Sequence, residues 1–240
     1  MTPDVSIVVP VYDEAENLPE LMADLGRLLA AQPGTRFEVL FVDDGSTDGS
    51  LDVLRGLARG RPEVRLLHHL RNCGQSAALL SGFAAARAAI VVTMDADLQN
   101  DPADVPRLLA ELVDCDLVSG VRVTRRDSWL RRISSRVANA ARRAVLHDGV
   151  SDVGCSLKAY RAELLTELPA FNGLHRFLPA LVKARGGRIR ELPVAHRPRR
   201  HGASKYGVHN RLWRGIADLW GVRWLARRSV AGRRVEEIEP

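Results

Sequence analysis

The sequence is poor in cysteine and has no long apolar run. Its three cysteines, Cys73, Cys115 and Cys155, lie far apart among 240 residues, so they indicate neither a disulfide framework nor a metal-binding cluster. No stretch approaches the roughly 18 apolar residues of a membrane-spanning helix. The N-terminus has an early acidic residue, Asp4, and does not look like a signal peptide. We therefore expect a cytoplasmic protein without a membrane span.

Glycine-rich phosphate-binding motifs are also missing. Neither G-x-G-x-x-G nor G-x-x-x-x-G-K-[ST] occurs, so neither a dinucleotide fingerprint nor a P-loop supports a phosphate site. The net charge is +6 and the sequence pI is about 9.8. A basic balance of this kind is compatible with nucleic acid, an anionic membrane or a phosphorylated substrate, and composition does not choose among them.

The first hundred residues alternate between apolar runs and helical patterns. Within the runs, apolar residues do not alternate with polar ones, so each run is predicted to be a strand buried on both faces. The connections are short, and the order β-α-β-α-β-α-β predicts an α/β fold with a mostly parallel, doubly wound sheet. The predicted strands are Val5–Pro10, Phe37–Val42, Val64–His68 and Ala89–Met94, and the predicted helices span 14–31, 48–58 and 74–87.

Three of these strands run into loops that carry two acidic residues each. Carboxylates gathered at one edge of a sheet repel each other unless a cation or ligand donors neutralise them. In the third loop, Asp95 and Asp97 project to the same side of extended backbone, and Gln99 adds an amide oxygen, a set of donors that suits Mg²⁺ or Mn²⁺. The Asp-x-Asp pattern alone equally fits a solvated surface turn. The other two pairs are Asp13/Glu14 and Asp43/Asp44.

Four ordered segments resemble the family 2 glycosyltransferases of the GT-A fold. They are VSIVVPVYDE at 5–14, VDDGSTD at 42–48, RNCGQ at 71–75 and MDADLQ at 94–99. The most similar branch is the dolichol-phosphate mannosyltransferase-like, or polyprenyl-phosphate glycosyltransferase, branch. The resemblance implies a nucleotide-sugar donor and a divalent metal surrounded by Asp95, Asp97 and Gln99. The matched segments place the donor-binding residues at Pro10, Tyr12, Glu14, Asp43, Asp44, Gln75, Asp95 and Ala96.

The second half of the chain carries a basic stretch whose residues suit a phosphate. Arg122, Arg131, Ser134 and Ser135 combine guanidinium groups with hydroxyls, and both donate to phosphate oxygens. A solvated basic face is the alternative. The resemblance assigns Arg122, Arg131 and Ser135 to the phosphate of a lipid acceptor, with Arg132 as the alternative to Arg131.

Two later segments also match the family. Residues 148–161 resemble its D-x-G-C-S-L-K-A-Y-R segment, which places Asp152 nearest the acceptor. Asp152 would be the base for a hydroxyl acceptor; for a phosphate acceptor, whose oxygen is already anionic, it would orient the acceptor or a neighbouring arginine. An aspartate that fixes a turn is the plain alternative. The segment RRHGASK resembles the flexible R-x-x-G-x-S-K loop, by which Arg199, Ser204 and Lys205 approach the donor diphosphate.

The last predicted helix, at 209–228, combines tryptophans and arginines with a broad apolar side. This composition is typical of a helix at a membrane interface, and a terminal helix packed on the domain is the alternative. We expect a catalytic domain at 1–207, the amphipathic helix within 208–231 and a polar tail at 232–240. Before the helix, Ile189–Ala195 is predicted to be an antiparallel strand at the sheet edge.

Together these patterns predict an inverting, metal-dependent glycosyltransferase. It would move a sugar from GDP-mannose or a UDP-hexose to a polyprenyl or dolichyl monophosphate at the inner face of the cell membrane. The expected partners are these substrates, the membrane surface, and a membrane protein or a second copy of the chain, but not nucleic acid. Two alternatives remain: a soluble hydroxyl acceptor with Asp152 as base, and a non-catalytic module that binds membrane or nucleic acid, against which the acidic loops argue.

Overall fold

The computed structural model describes residues 2–123, 140, 142–166, 168–198 and 211–228. Its strands and helices follow the predicted order, and most boundaries differ by a few residues. The strands are β1 Val5–Val11, β2 Phe37–Asp43, β3 Val64–His68, β4 Ile90–Thr93, β5 Leu117–Arg122, β6 Lys158–Arg161 and β7 Ile189–Val194. The helices are α1 Leu18–Ala31, α2 Ser50–Ala58, α3 Gln75–Ala85, α4 Val105–Glu111, α5 Leu178–Ala184 and α6 Arg211–Arg228.

The strands form one sheet in the order β3-β2-β1-β4-β6-β5-β7. Pairing is parallel between β1 and both β2 and β4, between β2 and β3, and between β5 and β7. Strand β6 runs antiparallel to β4 and β5. The predicted α/β architecture with a mostly parallel sheet is confirmed. The strand order reverses between β1 and β4, and ligands of open α/β sheets bind at such a reversal.

The predicted orientation of the edge strand is wrong. Strand β7 lies at the edge of the sheet, as expected, but it pairs with β5 in parallel. The antiparallel strand is β6, inside the segment 148–161. After β6, the chain returns to the carboxyl edge, where Gly173 N–H donates to Ser76 Oγ at the start of α3. Helix α5 then crosses the sheet again, so β7 begins at the same edge as β5.

Both faces of the sheet are covered, which explains why the strand sequences do not alternate. Ile7 and Val9 of β1 pack with Leu21 of α1 in one core, whereas Val8 packs with Leu79 of α3 in the other. Successive residues of a strand point to opposite faces, so a strand between two helical layers needs apolar residues at every position. The central strands therefore hold the carboxyl edge of the sheet rigidly.

Helix α6 packs beside α5. Val222 is buried and Leu219 packs with it against the second core. Trp220 and Trp224 on the same helix are 61% and 58% exposed. Among the helices of the described segments, none is long and apolar enough to cross a bilayer.

Candidate active site

The carboxyl ends of three neighbouring strands lie level with one another. Val11 of β1 pairs with Asp43 of β2, and Asp43 pairs with His68 of β3. Strand β4 lies on the other side of β1, and the loop with Asp95 and Asp97 follows it. The prediction that the three acidic loops leave the same edge of the sheet is therefore confirmed.

The chain itself supplies hydrogen-bond partners for the first two acidic loops. Asp43 is buried, and its Oδ2 lies 2.8 Å from Nδ1 of His68, while its Oδ1 has no hydrogen-bond partner among the described residues. Asp13, with a φ of 48°, accepts the backbone N–H of Thr47 at 2.7 Å. The loop after β1 is thereby tied to the loop after β2. The other predicted donor residues here, all half-buried, are Pro10, Tyr12 and Glu14.

Asp44 fixes the connection between β3 and α3. Its Oδ1 accepts the Cys73 N–H at 2.9 Å and lies 2.7 Å from Nδ1 of His69, and its Oδ2 accepts the Gly74 N–H at 2.7 Å. Gly45, with a φ of 71°, passes so close to this connection that a Cβ would overlap the backbone of residue 71. Both carboxylate oxygens are engaged within the chain, so Asp44 contributes to the site by holding this turn.

Asp44, His69 and Cys73 also form the one group of three His, Cys or acidic residues in the described part of the chain whose ligand atoms lie within 4.8 Å. Their hydrogen bonds argue against an ion at this place. Nε2 of His69 lies 2.8 Å from Ser81 Oγ, and Nδ1 already contacts Asp44. An ion bound through Nδ1 would displace the contact with Asp44, whose oxygens also accept the N–H groups of Cys73 and Gly74, so the cluster is best described as a structural contact at the start of α3.

The loop after β4 holds the predicted metal ligands. Asp95 Oδ1 accepts a hydrogen bond from Gln75 Nε2 at 2.9 Å, which joins α3 to this loop. Leu98 has a φ of 62°, and Asp97 Oδ1 accepts the Gln99 N–H at 3.2 Å. The backbone therefore turns sharply after Asp97 and keeps two carboxylates and one amide in a single loop. This set of oxygen donors fits Mg²⁺ or Mn²⁺.

His196 lies against the same loop and was not predicted. Asn100 and His196 form an antiparallel bridge, and Nε2 of His196 lies 3.5 Å from Nε2 of Gln99. Imidazole is a common ligand of divalent metals, and the contact with Gln99 places His196 beside this loop. Ala96, between the two carboxylates, is buried and packs into the core below the loop.

Arg122, the last residue of β5, forms a bidentate ion pair with Asp152. Its Nε donates to Oδ2 and its Nη2 to Oδ1, both at 2.7 Å. The two side chains are 17% and 7% exposed. Glu191 Oε1 accepts the backbone N–H groups of Ser151 and Asp152, which holds the carboxylate in place. The structure thus brings two predicted acceptor residues together, with Asp152 orienting the Arg122 guanidinium.

A cavity of about 690 Å³ is lined by Asp95 of the aspartate loop and by the turn 153–156, which directly follows Asp152. Gln75 and Asp95 line one end, and the turn 153–156 lines the other. Gly154 in this turn lies so close to Arg122 that a Cβ would stand 2.7 Å from Nη2. The cavity is therefore lined by the predicted donor residues Gln75 and Asp95 and by a turn that packs against Arg122, and its volume is typical of small-molecule sites.

Lys158 at the start of β6 forms part of the cavity wall. Its side chain is buried, and its Nζ donates to the carbonyl oxygens of Cys155 and Val153. Burial lowers the pKa of the Lys158 ammonium group because it penalises the charged form. The lysine therefore holds the turn 153–156, which lines the cavity.

The sequence profile of glycosyl transferase family 2 matches residues 6–168. The chain belongs to this family. A dodecaprenyl-phosphate galacturonate synthase from Rhizobium johnstonii is 38% identical over 230 residues, which cover 93% of this chain and 68% of that protein. An undecaprenyl-phosphate 4-deoxy-4-formamido-L-arabinose transferase from Edwardsiella ictaluri is 41% identical over 210 residues, which cover 85% of this chain and 63% of that protein. This chain is accordingly a glycosyltransferase.

Solved structures show that the glycosyltransferase has the GT-A fold. Glucosyl-3-phosphoglycerate synthase from Mycobacterium tuberculosis, in complex with Mn²⁺, UDP-glucose and phosphoglyceric acid, superposes with a TM-score of 0.71 at 22% identity, over 92% of this chain and 80% of that chain. The same enzyme with Mg²⁺ and UDP gives a TM-score of 0.64 at 20% identity, over 94% and 77% of the two chains.

Some predicted residues of the glycosyltransferase lie outside the described segments, namely Arg131, Ser135, Arg199, Ser204 and Lys205. Conversely, sequence reasoning missed the contributions of Lys158 and His196. Lys158 lies within the segment 148–161, which resembles the family. That resemblance could have indicated that Lys158 lies near the site. His196 reaches Gln99 because it pairs with Asn100, which lies 96 positions earlier in the sequence. No pattern of neighbouring residues predicts such a contact.

Proposed function

We propose that this glycosyltransferase transfers a sugar, with inversion, from a nucleoside-diphosphate sugar to a polyprenyl monophosphate. The observation that carries the proposal is the state of Asp152, whose two carboxylate oxygens both accept hydrogen bonds from Arg122. A hydroxyl acceptor would need a general base at this end of the cavity, whereas a phosphate oxygen is already anionic and needs a cation. The relatives from Rhizobium and Edwardsiella are named for dodecaprenyl and undecaprenyl phosphate, which supports the same acceptor class.

In this proposal the nucleoside of the donor binds at the ends of β1, β2 and β4. Asp43 offers a buried carboxylate oxygen without a partner among the described residues, which suits a ribose hydroxyl or a base N–H. Gln75 holds Asp95 in place for the same purpose. The remaining walls of the nucleoside site would be Pro10, Tyr12, Glu14 and Ala96. GDP-mannose and a UDP-hexose are the two donors that we propose to test.

Asp95, Asp97 and Gln99 would hold Mg²⁺ or Mn²⁺, with His196 beside them. When bound, the ion would stabilise the negative charge of the departing diphosphate. The carboxylates at this edge would otherwise repel that diphosphate, because both carry negative charge. The related synthase from Mycobacterium tuberculosis contains Mn²⁺ or Mg²⁺ together with UDP, which supports a divalent ion in this position.

Arg122 would bind the acceptor phosphate at the other end of the cavity. A guanidinium forms paired, charge-assisted hydrogen bonds with phosphate oxygens, and the contacts of Asp152 with Nε and Nη2 hold this one in a defined orientation. Arg131 and Ser135 would complete this phosphate site. Arg199, Ser204 and Lys205 would close over the donor diphosphate and exclude water. Rate acceleration would come from positioning both substrates and from stabilising developing charge.

We also propose that the segment 208–231 docks the catalytic domain, residues 1–207, on the inner face of the cell membrane, with 232–240 as a polar tail. Helix α6 exposes Trp220 and Trp224 on one side, and the Arg228 guanidinium lies 5.6 Å from the centre of the Trp224 ring. Tryptophan beside arginine suits the boundary between acyl chains and anionic headgroups. Docking would bring the cavity to a lipid acceptor.

Calorimetric titration with GDP and UDP, each with and without Mn²⁺, tests the donor half of the proposal. We expect one nucleotide to bind in the presence of Mn²⁺, and we expect Asp97→Ala to weaken this binding by about 100-fold because a charged metal ligand is lost. The exposed Asp52→Ala serves as the control and should bind like the wild type. Absence of metal-dependent binding by the wild type would contradict the proposed function.

A transfer assay separates the two acceptor classes. Undecaprenyl phosphate in detergent and a water-soluble alcohol are offered with the preferred donor. Product formed on the lipid phosphate supports the proposal. Product formed only on the alcohol, and lost in Asp152→Asn, would favour the second candidate, in which Asp152 acts as base for a hydroxyl acceptor.

A further inference from the structure

One wall of the cavity is made by residues that the proposed mechanism does not use. Asn172 lines the cavity together with His175 and Arg176 of the short 3₁₀ turn Leu174–Arg176. This wall is anchored to the start of α3: Ser76 Oγ accepts the Gly173 N–H at 3.0 Å and lies 2.9 Å from Nδ1 of His175. The wall is therefore held in a fixed position relative to Gln75 and the aspartate loop.

Arg176 is the arginine in this wall of the cavity and gives it a positive charge. Its side chain is half-buried and lines the cavity, yet it forms neither a hydrogen bond nor an ion pair with any described residue. The other cation of the cavity, Lys158, already donates to two backbone carbonyl oxygens. Partial burial of a guanidinium without a partner is unfavourable, and an anionic oxygen group would relieve it with paired hydrogen bonds.

The position of the cavity indicates which substrate group would meet Arg176. Asp95 marks the donor end, and the turn beside Arg122 marks the acceptor end. The part of the donor between these ends is the β-phosphate and the sugar. Both can present anionic oxygens, the sugar only when it carries a carboxylate.

We propose that Arg176 is a donor-binding residue whose guanidinium holds an anionic oxygen group of the bound sugar nucleotide beyond its nucleoside. The two possible sources are the β-phosphate and a carboxylate on the transferred sugar. This inference rests on the proposed function, since it requires a nucleoside-diphosphate sugar in the cavity. In either case Arg176 selects the phosphate or sugar part of the donor that occupies the centre of the cavity. The base of the nucleotide is recognised by other residues.

Titration of the Mn²⁺-loaded protein with three probes tests this inference. The probes carry the base preferred by the wild type: the nucleoside diphosphate alone, the diphosphate with a neutral hexose, and the diphosphate with a hexuronic acid. We expect Arg176→Gln to weaken binding about 10- to 100-fold, because a hydrogen-bonded charge pair usually contributes this much to affinity. Arg176→Lys should recover part of the lost affinity, because lysine keeps the positive charge but lacks the paired N–H donors of a guanidinium.

The pattern across the probes identifies the source of the anion. An equal loss for all three assigns Arg176 to the β-phosphate, and a loss confined to the hexuronic acid assigns it to a sugar carboxylate. An equal loss for the two sugar probes without a loss for the diphosphate alone would overturn the anionic assignment. Unchanged binding of every probe would overturn the inference while the proposed function stands.

Two controls keep these outcomes distinct. Arg61→Gln, an exposed arginine between α2 and β3 at the opposite edge of the sheet, should bind all probes like the wild type. Thermal unfolding of Arg176→Gln should match the wild type, because no described residue loses a partner. If the wild type itself binds no probe, the proposed function fails, and this inference fails with it.

Discussion

Glu38 is the most heavily hydrogen-bonded buried carboxylate at the amino edge of the sheet. Its oxygens accept from Ser6 Oγ at 2.5 Å, from Arg65 Nη1 at 2.7 Å and from the Arg87 N–H at 2.7 Å. Burial alone would raise the pKa of the Glu38 carboxyl, but these hydrogen bonds outweigh it and hold the pKa below its ordinary value of 4.5. The ionised carboxylate therefore stabilises the junction of β1, β2 and the residues after α3.

We expect Glu38→Gln to lower the free energy of unfolding at neutral pH by about 2 kcal/mol, because a charge-assisted acceptor is lost. Since the folded pKa of Glu38 is lowered, its contribution is present above the unfolded pKa and is lost as pH falls through the folded pKa. The difference between wild type and variant should therefore shrink on acidification. Urea unfolding from neutral to acidic pH measures it.

Glu63→Gln, a glutamate at the start of β3, is the matched control for removing one carboxyl group. A difference between wild type and Glu38→Gln that stays constant from neutral to acidic pH would contradict the assigned charge state. Such a result would mean that Glu38 acts through packing alone.

Among the elements, α3 approaches the sheet most closely at Gly82. A Cβ at this position would overlap Cγ1 of Val8 and stand 3.3 Å from Cγ2 of Val42. The close approach lets the start of α3 reach the aspartate loop, where Gln75 binds Asp95. Residue size at Gly82 therefore influences the position of Gln75, which lies about 10 Å away along the helix at about 1.5 Å per residue.

We expect Gly82→Ala to destabilise the protein by about 1–3 kcal/mol, because the methyl group has no room between α3 and β1. Gly26→Ala in α1 is the control, since nothing lies within 4 Å of its Cβ position, and it should stabilise by up to about 1 kcal/mol. Chemical unfolding of both variants measures the difference. Equal effects of the two substitutions would show that helix propensity, and not close packing, determines the result.

At the scale of the whole molecule, basic charge and exposed tryptophan occur together. The net charge is +6, and the exposed side of α6 carries Trp220, Trp224, Arg227 and Arg228. The opposite side of this helix packs against the domain, since Val222 is buried in the second core. The exposed side is thus available to a surface that accepts both aromatic rings and cations.

We expect the protein to sediment with vesicles that contain phosphatidylglycerol and to bind less as salt rises, because the attraction is screened. The double variant Trp220→Ser/Trp224→Ser should lose about 10-fold in binding or more, since two large apolar contacts are removed. Leu70→Ser, which removes an apolar residue that is 95% exposed elsewhere, is the control. Equal binding to neutral vesicles would contradict the role of charge.

The sequence by itself determined the fold class and the gathering of the acidic loops. Apolar runs without alternation require a strand covered on both faces, and parallel strands direct the loops with Asp43 and Asp95 to one edge. These are local patterns combined with a general rule of topology. The same reasoning failed for β7, because its direction depends on how often the preceding chain crosses the sheet.

Only the tertiary structure decided which polar side chains form contacts within the chain and which are available to a substrate. The sequence offered Asp44 as a ligand contact, but folding places both of its oxygens on backbone N–H groups and His69. It offered Asp152 as base or orienting group, and in the fold both of its carboxylate oxygens accept hydrogen bonds from Arg122 at 2.7 Å, as the proposed orienting role requires. Hydrogen-bond capacity is finite, so which groups remain for a substrate depends on contacts between residues distant in the chain.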